Sequence, residues 1–384
     1  MKNTRFIIVM AMSFCFARLA MAAPLDLSNV PLFAATNAPP ANILFVFDDS
    51  GSMDWGTVTD QESGTFHFSC VNGSNDGRNY VYPHDSGGNN YSETSVNGGR
   101  IPTDEVVNAV SSGNNDGVQP NQGFWRAWNT DYNRLYYDPE VQYLPWRGED
   151  DDGQAYTNAT ASAARVNPYD HDGSTYNLTT NQSHDSYIPC TYDDEVTVTF
   201  FPARYYTWTD SDNDGEVDPD DSHQLIEIRS SGCSSGASCP ASFTRGENRE
   251  DCAAIEDGTG DQCTVAEELQ NFANWFQYYR RREFTAKGAY TFVVDDAGAV
   301  NMGLFTINSN ADNERLSLMS VDANKTSLLD ALSKINATGG TPLRESAYDG
   351  YRYLSCQSNN YFSVNSDSDC PQASAAEGGA CQQS

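Results

Sequence analysis

The residues with the clearest chemical potential lie near the amino terminus. Asp48-x-Ser50-x-Ser52 sets one carboxylate and two hydroxyls on a tight turn, and Gly51 between the serines lets the backbone fold sharply. These are hard oxygen donors, suited to Mg²⁺, Mn²⁺ or Ca²⁺ rather than zinc. The turn follows directly on Asn42–Phe47, whose Ile-Leu-Phe-Val-Phe run reads as a strand buried on both faces. Ligands of open α/β sheets bind at the carboxyl ends of strands, which is where this turn falls. An ordinary Asp/Ser turn has the same composition, but the buried strand before it and Gly51 within it favour a metal site. Thr341, in Gly339-Gly340-Thr341-Pro342-Leu343, opens a helix and could supply another hydroxyl from a second loop. Alone it reads as a helix N-cap; beside the first motif it reads as a ligand.

A second oxygen-rich pattern lies mid-chain. Asp210, Asp212, Asp214, Glu216, Asp218 and Asp221 occupy positions one, three, five, seven, nine and twelve of a loop whose sixth residue is Gly215. That spacing matches a calcium loop. It departs from an EF-hand in two respects: position twelve is the shorter Asp, and strands rather than helices flank it. The expectation is a Ca²⁺ staple at 210–221, against the alternative of an acidic hairpin turn. Glu149–Gly153 is also acidic and reads as a solvated turn. Five histidines are available, but no HExxH helix, GxSxG elbow or phosphate loop occurs, so catalysis is not expected.

Composition narrows the partners. The formal charge of −31 disfavours nucleic acid, which needs a positive surface, and disfavours anionic membranes for the same reason. A hydrophobic fraction of 39% with 12% aromatic residues is too apolar for a disordered acidic chain. Residues 1–22 read as a secretory signal peptide: Lys2 and Arg5, then the apolar run Phe6–Phe16, then Ala20-Met21-Ala22 as a cleavage pattern. A membrane span needs ~20 apolar residues, and no segment after the signal is apolar enough to supply them. Export makes disulfides the default for the nine cysteines that remain after the signal. Cys233/Cys239 and Cys252/Cys263 are close enough to close local loops, although spacing does not assign the pairs.

The elements that must position these groups alternate between strand and helix. Residues 23–41 read as a linker. Residues 56–263, rich in Asn, Gly, Ser, Asp, Tyr and Trp, read as a loop-rich insertion with short strands at Glu195–Phe201, Arg204–Thr209 and Gln224–Arg229. The aromatics of Tyr132–Trp146 read as a small core. Residues 264–293 read as one long helix, with Thr264 and Glu267 as a capping box and Leu269, Phe272, Ala273, Phe276, Tyr279 and Phe284 as its apolar stripe. Arg280–Arg282 on that helix reads as a solvated face. Val300–Ile307 reads as a second buried strand, Ser327–Ile335 and Leu343–Leu354 as helices. Without the insertion this is an alternating α/β chain.

Four segments carry a family resemblance: Asn42–Trp55, Asn133–Pro139 with Tyr143–Trp146, Asn271–Arg282, and Gly339–Glu345. Together they resemble PilY-type proteins, the type IV pilus assembly and tip-adhesin family, with a von Willebrand factor A-like core and its metal-ion-dependent adhesion site. The resemblance implies an incomplete, Rossmann-type α/β core from 42–55 and 264–384, interrupted by the 56–263 insertion. It implies Asp48, Ser50, Ser52 and Thr341 as ligands of Mg²⁺ or Ca²⁺. It implies an exported protein of the periplasm, outer surface or pilus tip. Its partners would be pilus subunits or minor pilins, and host or abiotic surface ligands. Such sites also use an aspartate closing a later apolar strand with Thr-Asp-Gly. No such strand follows Thr341, and Asp349-Gly350 falls within a helix. The family also carries a carboxyl-terminal β-propeller. The expectation is therefore an amino-terminal fragment, with the Asn42–Phe47 strand an open sheet edge and poor stability by itself. The alternative is a calcium-stabilised envelope or matrix protein without a pilus role.

Overall fold

A computed structural model describes residues 40–71, 73–78, 80–82, 124–188, 190, 195–214, 221–252, 262–308 and 316–357. The signal peptide at 1–22 and the linker up to residue 39 lie outside the described residues. In chain order, β1 (Ala41–Phe47) leads into a 3₁₀ turn at Gly51–Asp54. Five antiparallel strand pairs follow: β2 (Phe66–Ser69) with β3 (Asn75–Arg78), β4 (Ala164–Arg165) with β5 (Thr175–Tyr176), β6 (Gln182–Tyr187) with β7 (Glu195–Phe200), β8 (Arg204–Thr209) with β9 (Ser222–Glu227), and β10 (Ser242–Thr244) with β11 (Gln262–Thr264). Helices α1 (Val265–Tyr278) and α2 (Arg282–Asp296), strands β12 (Val300–Thr306) and β13 (Leu316–Ser320), and helices α3 (Val321–Lys334) and α4 (Leu343–Leu354) complete the described chain.

The sheet that carries the serine turn has the order β1-β12-β13. β1 and β12 run parallel in unbroken register from Ala41↔Val300 to Phe47↔Thr306. β13 returns antiparallel, with an irregularity between Met302 and Leu304. Gly303 sits at that irregularity, and a Cβ there would lie 3.0 Å from the Leu316 carbonyl, so the bulge needs a residue without a side chain. Strand alternation sends Ile43, Phe45, Phe47, Met302 and Leu304 to one face, where they pack with Val294 of α2 and Val321, Leu328 and Leu332 of α3. Phe305 on the opposite face packs at a tilt against Tyr353 of α4, with ring centroids 5.1 Å apart. Helices thus cover both faces, as the α/β reading requires. Among the described residues β1 has β12 as its one strand neighbour.

A second, larger core is aromatic. Trp125, Trp128, Tyr136, Tyr137 and Trp146 from the insertion bury themselves against Phe272, Trp275 and Phe276 of α1. The Tyr132–Trp146 aromatics are a core, as expected. Irregular loops leave many backbone carbonyls without sheet partners, and the rings' polar ends answer them. Trp275 Nε1 donates to the Leu135 carbonyl at 3.0 Å, Trp146 Nε1 to the Tyr278 carbonyl at 2.9 Å, and the Tyr278 hydroxyl to the Thr157 carbonyl at 2.7 Å. One polar stripe on α1 does the same for the backbone of 141–166. Asn271 accepts from Tyr143 N–H and donates to the Val141 carbonyl, both at 2.8 Å. Asn274 accepts from Ala159 N–H and donates to the Tyr143 carbonyl, both at 2.9 Å. Gln277 accepts from Arg165 N–H at 2.9 Å, and Arg280 donates to the Val166 carbonyl at 2.8 Å. The spacing of three keeps Asn271, Asn274 and Gln277 on one broad side of α1, and Arg280 follows just past its last helical turn.

The structure corrects two sequence expectations. The single helix over 264–293 is two helices. Its start is as expected, with the Thr264/Glu267 capping box formed. The chain leaves helical geometry at Tyr279 (φ −137°) and Arg281 (ψ 153°). The amide of Arg282 donates to the Trp55 carbonyl at 3.1 Å, and the Thr285 hydroxyl takes up the Tyr279 carbonyl at 2.8 Å. Second, Arg280 and Arg281 are buried rather than solvated, Arg281 only 2% exposed. Helix α1 faces the aromatic body and α2 the sheet, so the break between them falls where guanidinium groups can reach both. Within Glu149–Gly153, Asp150 is buried while the other four residues are partly or fully exposed, because Arg165 Nη1 and His171 Nδ1 bond its carboxylate at 2.8 and 2.7 Å.

Three disulfides are described. Cys233–Cys239 and Cys252–Cys263 close the expected local loops, and Cys70–Cys190 joins residues 120 positions apart. Cys356 is disulfide-bonded too. No helix among the described residues is long and apolar enough to cross a membrane.

Candidate functional site

The carboxyl ends of β1 and β12 lie side by side, and three loops meet there. The first is the serine turn. Asp48 Oδ1 accepts the Ser50 N–H at 2.9 Å, which folds the carboxylate over the turn. The Ser50 and Ser52 hydroxyl oxygens stand 3.3 Å apart. Adjacent ligands of an octahedral cation bound at 2.0–2.1 Å lie about 3 Å from each other. The spacing and the donor chemistry both fit a hard divalent ion. The second loop, Ile335–Pro342 after α3, brings Gly339 against Gly51, whose N–H donates to the Gly339 carbonyl at 3.2 Å. Thr341 follows two residues later and is exposed. The four expected ligands therefore lie on two loops that touch, while Asp349 lies on the buried face of α4.

The third loop is the end of β12, and sequence reading missed it. Asp49 is fully buried, and burial holds its carboxyl above the usual carboxylate range despite hydrogen bonds from Asn308. Asn308 donates to Asp49 Oδ1 through its backbone N–H at 2.9 Å and its carboxamide at 3.1 Å. The same carboxamide donates to the carbonyls of Thr338 at 3.0 Å and Gly340 at 2.9 Å. Nothing in the local pattern Ile-Asn-Ser-Asn at 307–310 marks Asn308 out; the parallel pairing of β1 and β12 makes it a neighbour.

Buried charge supports these loops from behind. Glu283 of α2 accepts the Ala337 N–H at 2.8 Å, at the approach to Gly339. Lys287, one turn on, donates to the Ser333 carbonyl at 3.3 Å, and burial pushes its ammonium below the usual range. Arg281 pairs with Asp54 at 2.6 Å, and the Tyr80 hydroxyl donates to the other Asp54 oxygen at 3.0 Å. Arg282 donates to the Thr57 carbonyl at 2.8 Å and lies over the Trp55 ring. Asn133 accepts the Val58 N–H at 2.9 Å. The chain leaving the serine turn is thus fixed by two of the segments that carried the resemblance.

The acidic loop joins β8 to β9, as expected. Asp210, Asp212 and Asp214 each offer a carboxylate oxygen within 4.8 Å of the others. Asn213 takes a left-handed conformation (φ 61°), and Asp221 Oδ1 accepts the Ser211 N–H at 2.8 Å, which closes the loop's ends. Glu216 and Asp218 lie outside the described residues. The three carboxylates would suit Ca²⁺, which accepts six to eight oxygens in flexible geometry.

No family model matches the chain, and no solved structure matches it. Among curated proteins, it is 25% identical over 367 residues to the type IV pilus biogenesis factor PilY1 of Pseudomonas aeruginosa (strain UCBPP-PA14), an alignment covering 91% of this chain and 24% of that protein. The chain therefore spans about a quarter of the length of the curated relative it matches. The sequence alignment and the four motif segments agree: this chain is similar to a PilY-type protein along most of its length.

Proposed function

We propose that the chain is an exported type IV pilus biogenesis factor that engages partners through a divalent cation held at the carboxyl ends of β1 and β12, on a von Willebrand factor A-like core. The observation that carries the cation reading is the convergence of the Ser50 and Ser52 hydroxyls beside Asp48, on a turn in contact with the Gly339–Thr341 loop. The pilus reading rests on the similarity to PilY1. A bound Mg²⁺ or Ca²⁺ would supply a positive centre for a carboxylate of a pilus subunit or surface ligand. The protein's own part is to hold Asp48, Ser50, Ser52 and Thr341 without reacting, so the role is binding, not turnover. Disulfides fit the oxidising compartments of export, the periplasm or the outer surface.

Calorimetry tests the site: Mg²⁺ or Ca²⁺ should bind the full chain, and Asp48→Ala and Ser50→Ala should abolish binding at the serine turn. Heat unchanged by both variants removes the reading. Deleting the gene should remove surface pili or twitching, with Asp48→Ala failing to restore them. A second reading, a calcium-stabilised envelope protein without a pilus role, draws on Asp210, Asp212 and Asp214. It predicts that Asp212→Asn lowers Ca²⁺-dependent stability while deletion leaves pili intact.

A further inference from the structure

We infer that Asp49 and Asn308, neither of them a cation ligand in the reading above, form a buried pin that sets the serine turn against the Gly339–Thr341 loop, making both positioning residues for that site. The inference rests on the proposed cation site for its functional meaning, and on geometry alone for the pin. Three separate pieces of chain end at this point: β1, β12 and the loop after α3. One carboxamide joins all three. Asn308 is 8% exposed, and its two N–H bonds serve three acceptors: Asp49 Oδ1 at 3.1 Å, the Thr338 carbonyl at 3.0 Å and the Gly340 carbonyl at 2.9 Å. Its backbone N–H adds a second bond to Asp49 Oδ1 at 2.9 Å, which holds the carboxylate against the end of β12 independently of the carboxamide.

The backbone repeats the bracket. Thr338 N–H donates to the Asp49 carbonyl at 2.6 Å, and Gly51 N–H to the Gly339 carbonyl at 3.2 Å. Asp49 lies between two proposed ligands, Asp48 and Ser50, so any tilt of its carboxylate moves both. Gly339 has φ +86°, and a Cβ there would stand 3.1 Å from Asn308 Oδ1; the loop passes too close to the carboxamide for a larger residue. Only an amide fits the centre of this arrangement. Aspartate would turn a donor into an acceptor facing two carbonyls, and alanine would leave both carbonyls and a buried carboxylate without their shared donor. Groups behind a metal's own ligands commonly change metal affinity by 10–100-fold when removed, because they fix ligand orientation.

The test uses the full chain carrying Asn308→Ala, and separately Asp49→Asn, which keeps the shape and removes the charge. Mg²⁺ affinity by calorimetry should fall about tenfold or more in Asn308→Ala and by less in Asp49→Asn. Hydrogen exchange of the Thr338 and Gly51 amides should accelerate about tenfold while the amide of Leu304, inside β12, keeps its protection. If those two amides exchange as in the wild type, the pin is wrong, whatever the metal does. If wild type binds Mg²⁺, Asp48→Ala does not, and Asn308→Ala binds as tightly as wild type, positioning is wrong and the cation site stands. If wild type binds no divalent ion, the cation reading fails and the exchange rates still decide the pin. Should Asn308→Ala not fold, Asp49→Asn carries both readouts.

Discussion

The two cores of this protein solve one problem in opposite ways. Around the sheet, Phe47, Met302, Leu304, Val321, Leu328 and Leu332 pack as apolar side chains, and the backbone satisfies itself in a parallel ladder. In the insertion, short strand pairs leave much of the backbone irregular, and Tyr, Trp, Asn and Gln side chains must bond it from the core side. The first core is specified by pattern and tolerates volume-conserving exchange. The second is specified by individual hydrogen bonds, each of which leaves a buried group unmet if removed. A loop-rich region can therefore be rigid, provided its side chains carry both bulk and donors.

Four measurements would break or sharpen that contrast. The largest effect is expected from the Cys70–Cys190 disulfide, which closes a loop spanning 120 residues within the insertion. Paired Ser substitutions should cost about 4 kcal/mol in chemical unfolding; a cost near zero would mean the aromatic packing holds the insertion unaided. Next, Trp275→Ala in the aromatic core should cost about 4 kcal/mol and Leu332→Ala in the sheet core about 3 kcal/mol. If the cores unfold together through the α1–α2 junction, both variants shift one transition; two separated transitions would show that the buried arginines do not couple them. Asn274→Ala should cost about 2–3 kcal/mol although it removes little volume, because Ala159 N–H and the Tyr143 carbonyl lose their partner. Asn274→Asp should restore only the acceptor half.

The smallest effect is pH-dependent and local to Asp150. Burial pushes the Asp150 carboxyl up, but hydrogen bonds from His171, the Gln154 amide and Arg165 more than reverse this, leaving it below the usual 3.8. The hydrogen bond to Asp150 raises His171 above 6.5. The His171 contribution is fully present below pH 6.5 and is lost as pH rises through its folded value. The Asp150 contribution is present above pH 3.8 and is lost as pH falls through its folded value. Melting temperatures of wild type and His171→Asn should therefore differ most between those two values and converge in alkali. A constant difference across pH would assign His171 to packing alone.

How much of this was legible beforehand depended on the range of the signal. The serine turn after a strand, the Thr264/Glu267 cap and the limits of Leu343–Leu354 are local, and each is found where the pattern set it, although the strand is half-buried along most of its length rather than buried on both faces. β13 was missed because Leu-Ser-Leu-Met-Ser is short and follows a polar stretch. The arginine run was misread because a helix pattern counts charges as solvated, and nothing in the run announces that Asp54 and the carbonyls of Val166 and Thr57 await it. Asn271, Asn274 and Gln277 share one side of α1, but a polar side of a helix normally marks the wet side. It is the dry side here because irregular loops pack against it.

The sequence by itself determined the donor chemistry of the serine turn, the acidic loop's spacing and the alternation of strand and helix, since each depends on residues close in the chain; it made the two local disulfide loops possible without assigning them. Only the tertiary structure decided that Asn308 would meet Asp49, that Gly339 would close on Gly51 and that Cys70 would find Cys190. Those contacts join segments far apart in the chain, and the parallel register and the packing of two cores against one broken helix pair bring them within bonding distance.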